Sequence, residues 1–305
     1  MILQGNVYSP ALDMETTVCF VAANNFSKEP PRKVCYLLHG LQGRADNFIN
    51  YTMLADWCRT YHVLFVLPDA QRSYYTDMYY GQKYFTYLTQ DLPKIVRDVF
   101  RVSAAPEDSY IMGTSMGGYG ALKAALTYPE NYAACAAFSP ACLDMQRYMT
   151  AEWREGRDAD AFRQAFGERI AHDFTAVFGP VGTWSADHDI LALAEKNANA
   201  PKKPRLFTTW GDQDIFVQTN RAFPGQMAEL GWQVESKEVP DRMHNWTFFN
   251  EALKMGLHFC FDRYPFGGGS MTLQELLDSR VLPEINFPTT ATGWWKRHME
   301  LQQLL

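Results

Sequence analysis

The sequence lacks any apolar run that approaches the roughly 20 residues of a membrane-spanning helix. It also lacks a run of Lys and Arg residues that could neutralise nucleic-acid phosphates, and its 305 residues carry a net charge of −6. The first ten residues, MILQGNVYSP, lack the basic region and apolar run of a signal peptide. These absences predict a cytoplasmic protein with no membrane and no nucleic-acid partner.

The six cysteines are scattered, and no two of them form a C-x-x-C pair. Scattered cysteines are typical of small buried apolar side chains in a reducing compartment. The sequence therefore predicts neither a disulfide framework nor a zinc site.

Short apolar runs alternate with helical patterns along most of the chain. Residues 33–40 and 62–70 are continuous apolar runs of strand length, and residues 85–100 have apolar side chains at helical spacing. Such alternation predicts an α/β fold with a mostly parallel sheet and helices on both faces.

Two segments interrupt this alternation, so we divide the chain into one main domain, residues 1–265, and a C-terminal extension, residues 266–305. Within the main domain, residues 143–200 are long and mixed in composition. We expect them to form a lid-like insertion over one edge of the sheet. The extension ends in GWWKRHMELQQLL, which could form an amphipathic helix against the main domain or against a second subunit in a homo-oligomer.

The stretch GTSMG, residues 113–117, matches G-x-S-x-G between a predicted strand and a predicted helix. In a nucleophile elbow the serine lies on a strained turn of this kind, and its neighbours must be small. Gly113 and Gly117 meet that need. The alternative is a glycine-rich turn with an incidental serine, but the strand–turn–helix context favours Ser115 as a nucleophile.

A nucleophilic serine needs a base and a carboxylate that orients the base, in the chain order Ser, acid, His. Asp212 and Asp214 both follow the apolar run at 206–210, and both are candidate acids. His244 follows the next predicted strand and is the candidate base. The other histidines precede the acid or lie in a predicted helix or in the extension: His39, His62, His172, His188, His258 and His298.

The reaction also needs two N–H donors for the oxyanion that develops on the substrate. One is the N–H of the residue after the nucleophile, Met116. The other comes from the loop after an early strand, in LLHGLQG, where we choose Leu41, with Gly40 next.

Four ordered motifs, LLHGLQG, GTSMGGYGA, WGDQDIF and MHNWTFF, resemble the esterase D family of α/β-hydrolases over about residues 7–262. The bacterial tributyrin and feruloyl esterase branch is the most similar part of that family. The resemblance implies the α/β-hydrolase fold, no cofactor and no metal, and it maps the family's Gly-x-x-Asp onto Gly211 and Asp214. It also supports Leu41 and Met116 as oxyanion donors. Phe249 departs from the family, which commonly has tryptophan there.

These features predict a serine carboxylesterase that hydrolyses short-chain or aromatic, feruloyl-type esters through an acyl-enzyme. Its partner would be a small-molecule ester, and Gly40, Tyr75 and Trp184 are candidate substrate-binding residues. Three alternatives stay open. They are a thioesterase similar to S-formylglutathione hydrolase, an acyltransferase, and a non-catalytic binding protein on a hydrolase scaffold.

Overall fold

The computed structural model describes residues 1–24, 31–144, 163–164, 167–180 and 185–261. Within these ranges eight strands form one sheet: β1 Ile2–Ser9, β2 Met14–Val21, β3 Lys33–Leu38, β4 Val63–Pro68, β5 Ser109–Thr114, β6 Ala134–Phe138, β7 Arg205–Gly211 and β8 Val234–Val239. The predicted extension at 266–305 lies outside the described residues, and so do residues 145–162, 165–166 and 181–184 of the predicted insertion at 143–200, so both segments stay predictions.

The strand order across the sheet is β1-β2-β4-β3-β5-β6-β7-β8. The six strands from β4 to β8 in this order are parallel, and β1 and β2 join one side in antiparallel pairs. The predicted mostly parallel sheet is therefore confirmed.

Helices connect most of these strands. The α-helices in the described ranges are α1 Asn47–Tyr51, α2 Leu54–Trp57, α3 Tyr84–Thr86, α4 Leu92–Phe100, α5 Met116–Thr127, α6 Glu168–Phe178, α7 Ile190–Lys196, α8 Val217–Glu229 and α9 Trp246–Phe261. A π-helical turn, Tyr87–Asp91, joins α3 to α4. None of the described helices is long and apolar enough to cross a membrane.

Successive residues of the buried strands point into two different apolar cores, one on each face of the sheet. In β3, Val34 and Tyr36 belong to one core, and Cys35 and Leu37 belong to the other. This is the two-residue period of a strand that is covered on both faces. Helices α4 to α8 contribute to the first core, whereas α1, α2 and α9 contribute to the second.

The parallel strands end along one edge of the sheet. Leu38 pairs with Gly113, Thr114 pairs with Phe138, and Gly211 pairs with Val239. Loops that follow these strands therefore meet at the same edge, which is where open parallel sheets bind their ligands.

Candidate active site

Ser115 lies on the sharp turn between β5 and α5. Its backbone has φ 53° and ψ −117°, a strained conformation for a residue with a side chain. A Cβ atom on Gly113 would collide with the carbonyl oxygen of Gly117, and a Cβ atom on Gly117 would collide with that of Leu38. The turn therefore has the geometry of a nucleophile elbow, and its glycines are required by close backbone contacts.

His244 and Asp214 form a hydrogen-bonded pair at the same edge. His244 Nδ1 lies 2.8 Å from Asp214 Oδ2, and the carboxylate is buried. An ionised carboxylate can only accept, so Nδ1 carries the proton and Nε2 is left as the acceptor. Phe216 and Phe249 hold the imidazole edge-on, with ring centroids 5.3 and 5.0 Å away.

The carboxylate of Asp214 stays ionised in spite of its burial. Burial by itself raises the pKa of Asp214, but the hydrogen bond and charge of His244, the hydroxyl of Ser139 and the N–H of Phe216 outweigh it. The net result is a pKa below the usual value for aspartate. A buried negative charge next to the imidazole can therefore stabilise an imidazolium.

Ser115 and His244 line one cavity of about 600 Å³. Among the described residues no hydrogen bond joins the Ser115 hydroxyl to the imidazole. Such contacts are often long in enzymes without substrate and tighten when substrate binds. The structure thus brings the three predicted residues to one site and joins two of them directly.

The two predicted oxyanion donors also line this cavity. Met116 is the first residue of α5, so its N–H has no acceptor inside the helix. Leu41 lies in the loop after β3, and the neighbouring His39 orders that loop. The buried His39 Nδ1 bonds the carbonyl of Gly40 at 2.8 Å, and Nε2 accepts the N–H of Ala70 at 3.0 Å. Burial lowers the pKa of His39. The neutral ring can donate from Nδ1 and accept at Nε2, as these two contacts require.

Most of the cavity surface is apolar or aromatic. The apolar and aromatic lining residues include Tyr51, Tyr74, Cys142, Ile170, Phe174, Ile215, Phe216, Trp246 and Phe249. Tyr74 packs on Phe174 at 5.3 Å between ring centroids, and Trp246 packs on Tyr51 at 5.2 Å. None of the described lining residues is Asp, Glu, Lys or Arg.

The three predicted substrate-binding residues differ in their position relative to the cavity. Gly40 lines the cavity, and Trp184 lies outside the described residues. Tyr75 does not line the cavity: its buried ring packs against Gly120, and its hydroxyl donates to the carbonyl of His39 at 3.2 Å. Tyr74 lines the cavity instead, so we replace Tyr75 by Tyr74 among the candidate substrate contacts.

Sequence reasoning missed two residues of the site. Ser139 contacts the Asp214 carboxylate, and Trp246 lines the cavity two residues after His244. A polar residue directly after the buried strand β6 was a usable signal for Ser139. Trp246 stands within the quoted MHNWTFF motif, but nothing in the motif distinguishes a cavity residue from a core residue.

The parallel sheet, the elbow after β5 and the acid and histidine after β7 and β8 define the α/β-hydrolase fold. The chain belongs to the family described as "Putative esterase", whose model matches residues 9–259. It is therefore a member of an esterase family of hydrolases.

Individual relatives agree with this assignment. The chain is 28% identical to an acetyl esterase of Caldicellulosiruptor saccharolyticus over 83% of this chain and 95% of the relative. An S-formylglutathione hydrolase structure from Staphylococcus aureus superposes with a TM-score of 0.70 at 23% identity, covering 85% of this chain and 98% of the other. A ferulic acid esterase structure gives a TM-score of 0.66 at 19% identity, covering 85% and 97%. The two structural likenesses concern the fold alone.

Proposed function

We propose that the protein is a serine carboxylesterase that hydrolyses small, uncharged esters with short-chain or aromatic acyl groups. One observation carries the proposal: Ser115, on a strained strand-to-helix turn, shares a cavity with an imidazole that is hydrogen bonded to a buried aspartate. Nucleophile, base and orienting acid in this arrangement are the components of acyl transfer through a covalent intermediate.

In the first half-reaction, His244 Nε2 takes the proton of Ser115 Oγ as that oxygen bonds to the carbonyl carbon of the ester. The negative charge moves to the carbonyl oxygen, where the N–H groups of Leu41 and Met116 stabilise it. The C–O bond to the alcohol then breaks, and the alcohol leaves with the proton from His244. Asp214 orients the imidazole and stabilises its positive charge throughout.

In the second half-reaction, water replaces the alcohol. His244 takes a proton from the water as its oxygen attacks the acyl-enzyme, and the same two N–H groups stabilise the second oxyanion. Collapse of this intermediate releases the carboxylic acid and returns the proton to Ser115 Oγ. The balance requires only ester and water.

The cavity supports an uncharged substrate. Its volume of about 600 Å³ lies in the ordinary range for small-molecule sites. Its described lining is mostly aromatic and aliphatic, includes the uncharged polar side chains of Gln42, Asn47 and Thr114, and contains no Asp, Glu, Lys or Arg. Glutathione thioesters carry carboxylates and an ammonium group, and burying those groups without partners is costly. An acetyl or aromatic acyl group has no such need. The names of the acetyl esterase relative and the ferulic acid esterase structure are consistent with this choice.

The decisive experiment compares hydrolysis of p-nitrophenyl acetate, butyrate and octanoate, methyl ferulate and S-formylglutathione, with Ser115→Ala as the control. We expect kcat/KM for acetate or ferulate esters to exceed that for the thioester by about tenfold or more, the discrimination that a few pocket contacts provide. Ser115→Ala should lower kcat by roughly 10⁶-fold, as loss of such a nucleophile does elsewhere.

Each rival function has its own outcome in this experiment. A preference for S-formylglutathione would replace the carboxylesterase by a thioesterase. Ester products instead of free acid, when an alcohol acceptor is added, would indicate an acyltransferase. Absence of turnover on every substrate, with binding retained, would favour a non-catalytic binding protein, and full activity in Ser115→Ala would remove the proposed nucleophile.

A further inference from the structure

Ser139, the residue directly after β6, contacts the carboxylate of the acid–base pair. Its buried hydroxyl donates to Asp214 Oδ2 at 2.5 Å. The same oxygen accepts the Nδ1–H of His244 at 2.8 Å. Two donors therefore share one carboxylate oxygen. One of them, the Ser139 hydroxyl, lies outside the proposed triad of Ser115, His244 and Asp214.

The second oxygen of this carboxylate is also held. Asp214 Oδ1 accepts the backbone N–H of Phe216 at 2.8 Å. With donors on both oxygens, the carboxylate plane cannot rotate without breaking a hydrogen bond in a buried place, where an unmade bond is costly. Ser139 and Phe216 together aim Oδ2 at the imidazole.

Backbone hydrogen bonds hold Ser139 and its neighbours in place. Its φ is 45°, a conformation that residues with side chains rarely adopt, and its N–H donates to the carbonyl of Thr209 on β7 at 2.7 Å. On either side, the Phe138 carbonyl accepts the N–H of Ser115 at 2.9 Å, and the Ala141 N–H donates to the carbonyl of Ser115 at 3.2 Å. One short segment therefore connects the elbow of the nucleophile to the carboxylate of the acid.

We propose that Ser139 is a positioning residue of the active site, whose hydroxyl fixes the orientation of the Asp214 carboxylate and takes up part of the charge of Oδ2. This inference rests on the proposed function, because it assigns a task within the Ser115–His244–Asp214 triad. It has two separable consequences. Without the hydroxyl the carboxylate is less well aimed, which lowers kcat. Without the hydroxyl, Asp214 Oδ2 also keeps more of its negative charge, and this charge stabilises the protonated form of His244.

The second consequence has a defined sign. The acid limb of kcat/KM against pH marks the point at which a proton blocks the general base. Stronger stabilisation of the imidazolium keeps that proton on the base to higher pH, so the limb moves upward when the Ser139 hydroxyl is removed. A residue that only fills space would not move it.

Other titratable groups on the adjoining loops stay unchanged in the test. Asp212 lies on the same loop as Asp214, and Asp241 and Arg242 precede His244. Arg242 is paired with Glu251 of α9 through two contacts of 2.8 Å. Near the elbow, burial raises the pKa of the Cys142 thiol, so that group is neutral over the working range.

The test uses three substitutions in the full-length protein. Ser139→Ala and Ser139→Gly both remove the hydroxyl, and glycine in addition relieves the positive φ. Ser139→Thr keeps the hydroxyl but adds a β-branched side chain at that φ. The measurements are kcat and KM for p-nitrophenyl acetate from pH 5 to 9, and Tm for each variant.

For Ser139→Ala and Ser139→Gly we expect kcat to fall by about 10- to 100-fold, the range that slight misplacement of reacting groups produces. KM should change little, because Ser139 is not among the residues that line the cavity. The acid limb should move upward by about half a pH unit in both variants. Ser139→Thr should keep the limb of the wild type even if its Tm is lower.

An acid limb that stays in place in both Ser139→Ala and Ser139→Gly would overturn the proposal. A loss of activity in Ser139→Thr equal to that in Ser139→Ala would overturn it as well. If Ser139→Ala is unstable, Ser139→Gly alone decides, since it removes the hydroxyl without backbone strain. Failure of the inference is distinguishable from failure of the proposed function. An inactive Ser115→Ala together with a wild-type profile in the Ser139 variants would reject only the role of Ser139.

Discussion

At the scale of single residues, Asp212 and Asp214 both lie in the loop directly after β7, but they have different hydrogen-bond partners. Asp214 accepts hydrogen bonds from Ser139, Phe216 and His244. Asp212 donates its backbone N–H to Val239 at 3.0 Å, and its Oδ1 has no hydrogen-bond partner among the described residues. The contacts therefore single out Asp214 as the residue that can orient the imidazole.

The matched substitutions Asp214→Asn and Asp212→Asn test this difference. In Asp214→Asn we expect kcat to fall by about 10⁴-fold, because the amide cannot stabilise the imidazolium and favours the wrong tautomer. Asp212→Asn should stay within a few-fold of the wild type. Steady-state kinetics on p-nitrophenyl acetate, with circular dichroism of both variants, makes the comparison. A larger loss in Asp212→Asn would transfer the proposed role to that residue.

Residue patterns in the sequence predicted some positions better than others. The elbow was predictable because close backbone contacts leave room for glycine alone at positions 113 and 117. Tyr74 and Tyr75 were not distinguishable from the sequence, because they lie in a loop without a helix or strand period. The structure gives both of them a positive φ. Asp212 and Asp214 were separated by a family resemblance rather than by chemistry, and Asp214 as the catalytic acid stays a prediction.

At the scale of elements, α5 carries a buried lysine eight residues after Ser115. Lys123 Nζ donates to Thr76 Oγ1 at 2.9 Å and lies 4.7 Å from the ring centroid of Phe85. Burial lowers the pKa of Lys123 to about 7, against the partial opposition of Asp77 and Asp187. The charged form of this lysine is therefore unfavourable in the fold.

This lysine should make stability depend on pH. An unfolded lysine keeps its proton up to about pH 10.4, whereas the folded one releases it near 7. Between these values the unfolded state binds more protons, so the free energy of unfolding rises as pH rises. Lys123→Met removes the cost of the buried charge, so its advantage over the wild type should be largest at pH 7 and below and should shrink toward pH 10.

Urea unfolding at intervals from pH 6 to 10 measures this difference. Lys94→Met on α4 is the control, because Lys94 is 74% exposed and pairs with Asp98 at the surface. It should show no comparable trend over the same range. A stability difference between Lys123→Met and wild type that is constant with pH would contradict a depressed lysine pKa.

Elements were predictable where burial imposes a pattern. The central strands are continuous apolar runs, and the predicted runs at 33–40 and 62–70 end within two residues of β3 and β4. Strand β1 was missed, because most of its residues are exposed and its apolar side chains do not alternate. Residues 47–61 have apolar side chains at helical spacing, which by itself indicates one helix, but the structure divides this stretch into α1 and α2. Thr52 separates them: its hydroxyl bonds the carbonyl of Phe48 and accepts the N–H of Leu54.

At the scale of the whole molecule, the parallel sheet explains why distant positions meet. Leu41, Ser115, Ser139, Asp214 and His244 follow five different strands, and the carboxyl ends of those strands lie along one edge. A sequence pattern can assign each strand, but the strand order decides which loops are neighbours. The contact of Ser139 with Asp214 follows from the adjacency of β6 and β7.

All six cysteines are buried in a molecule whose sheet is covered on both faces. Each of them is buried, and none forms a disulfide: Cys19, Cys35, Cys58, Cys135, Cys142 and Cys260. Burial raises the pKa of the Cys35, Cys135 and Cys142 thiols, and the thiolate is the form that reacts with disulfide reagents. The folded protein should therefore resist such reagents even though none of the six cysteines forms a disulfide.

Titration with dithionitrobenzoate, without prior reduction, tests this property. In the native state we expect at most about one thiol per chain to react within minutes, because burial suppresses both access and ionisation. In guanidinium chloride all six should react. The first native thiol to react should be Cys142, since it lines the cavity. Cys142→Ala should remove that reaction, whereas Cys135→Ala, in the core, should leave it. Fewer than six thiols in denaturant would reveal a disulfide, and rapid native labelling that persists in Cys142→Ala would contradict the burial of the others.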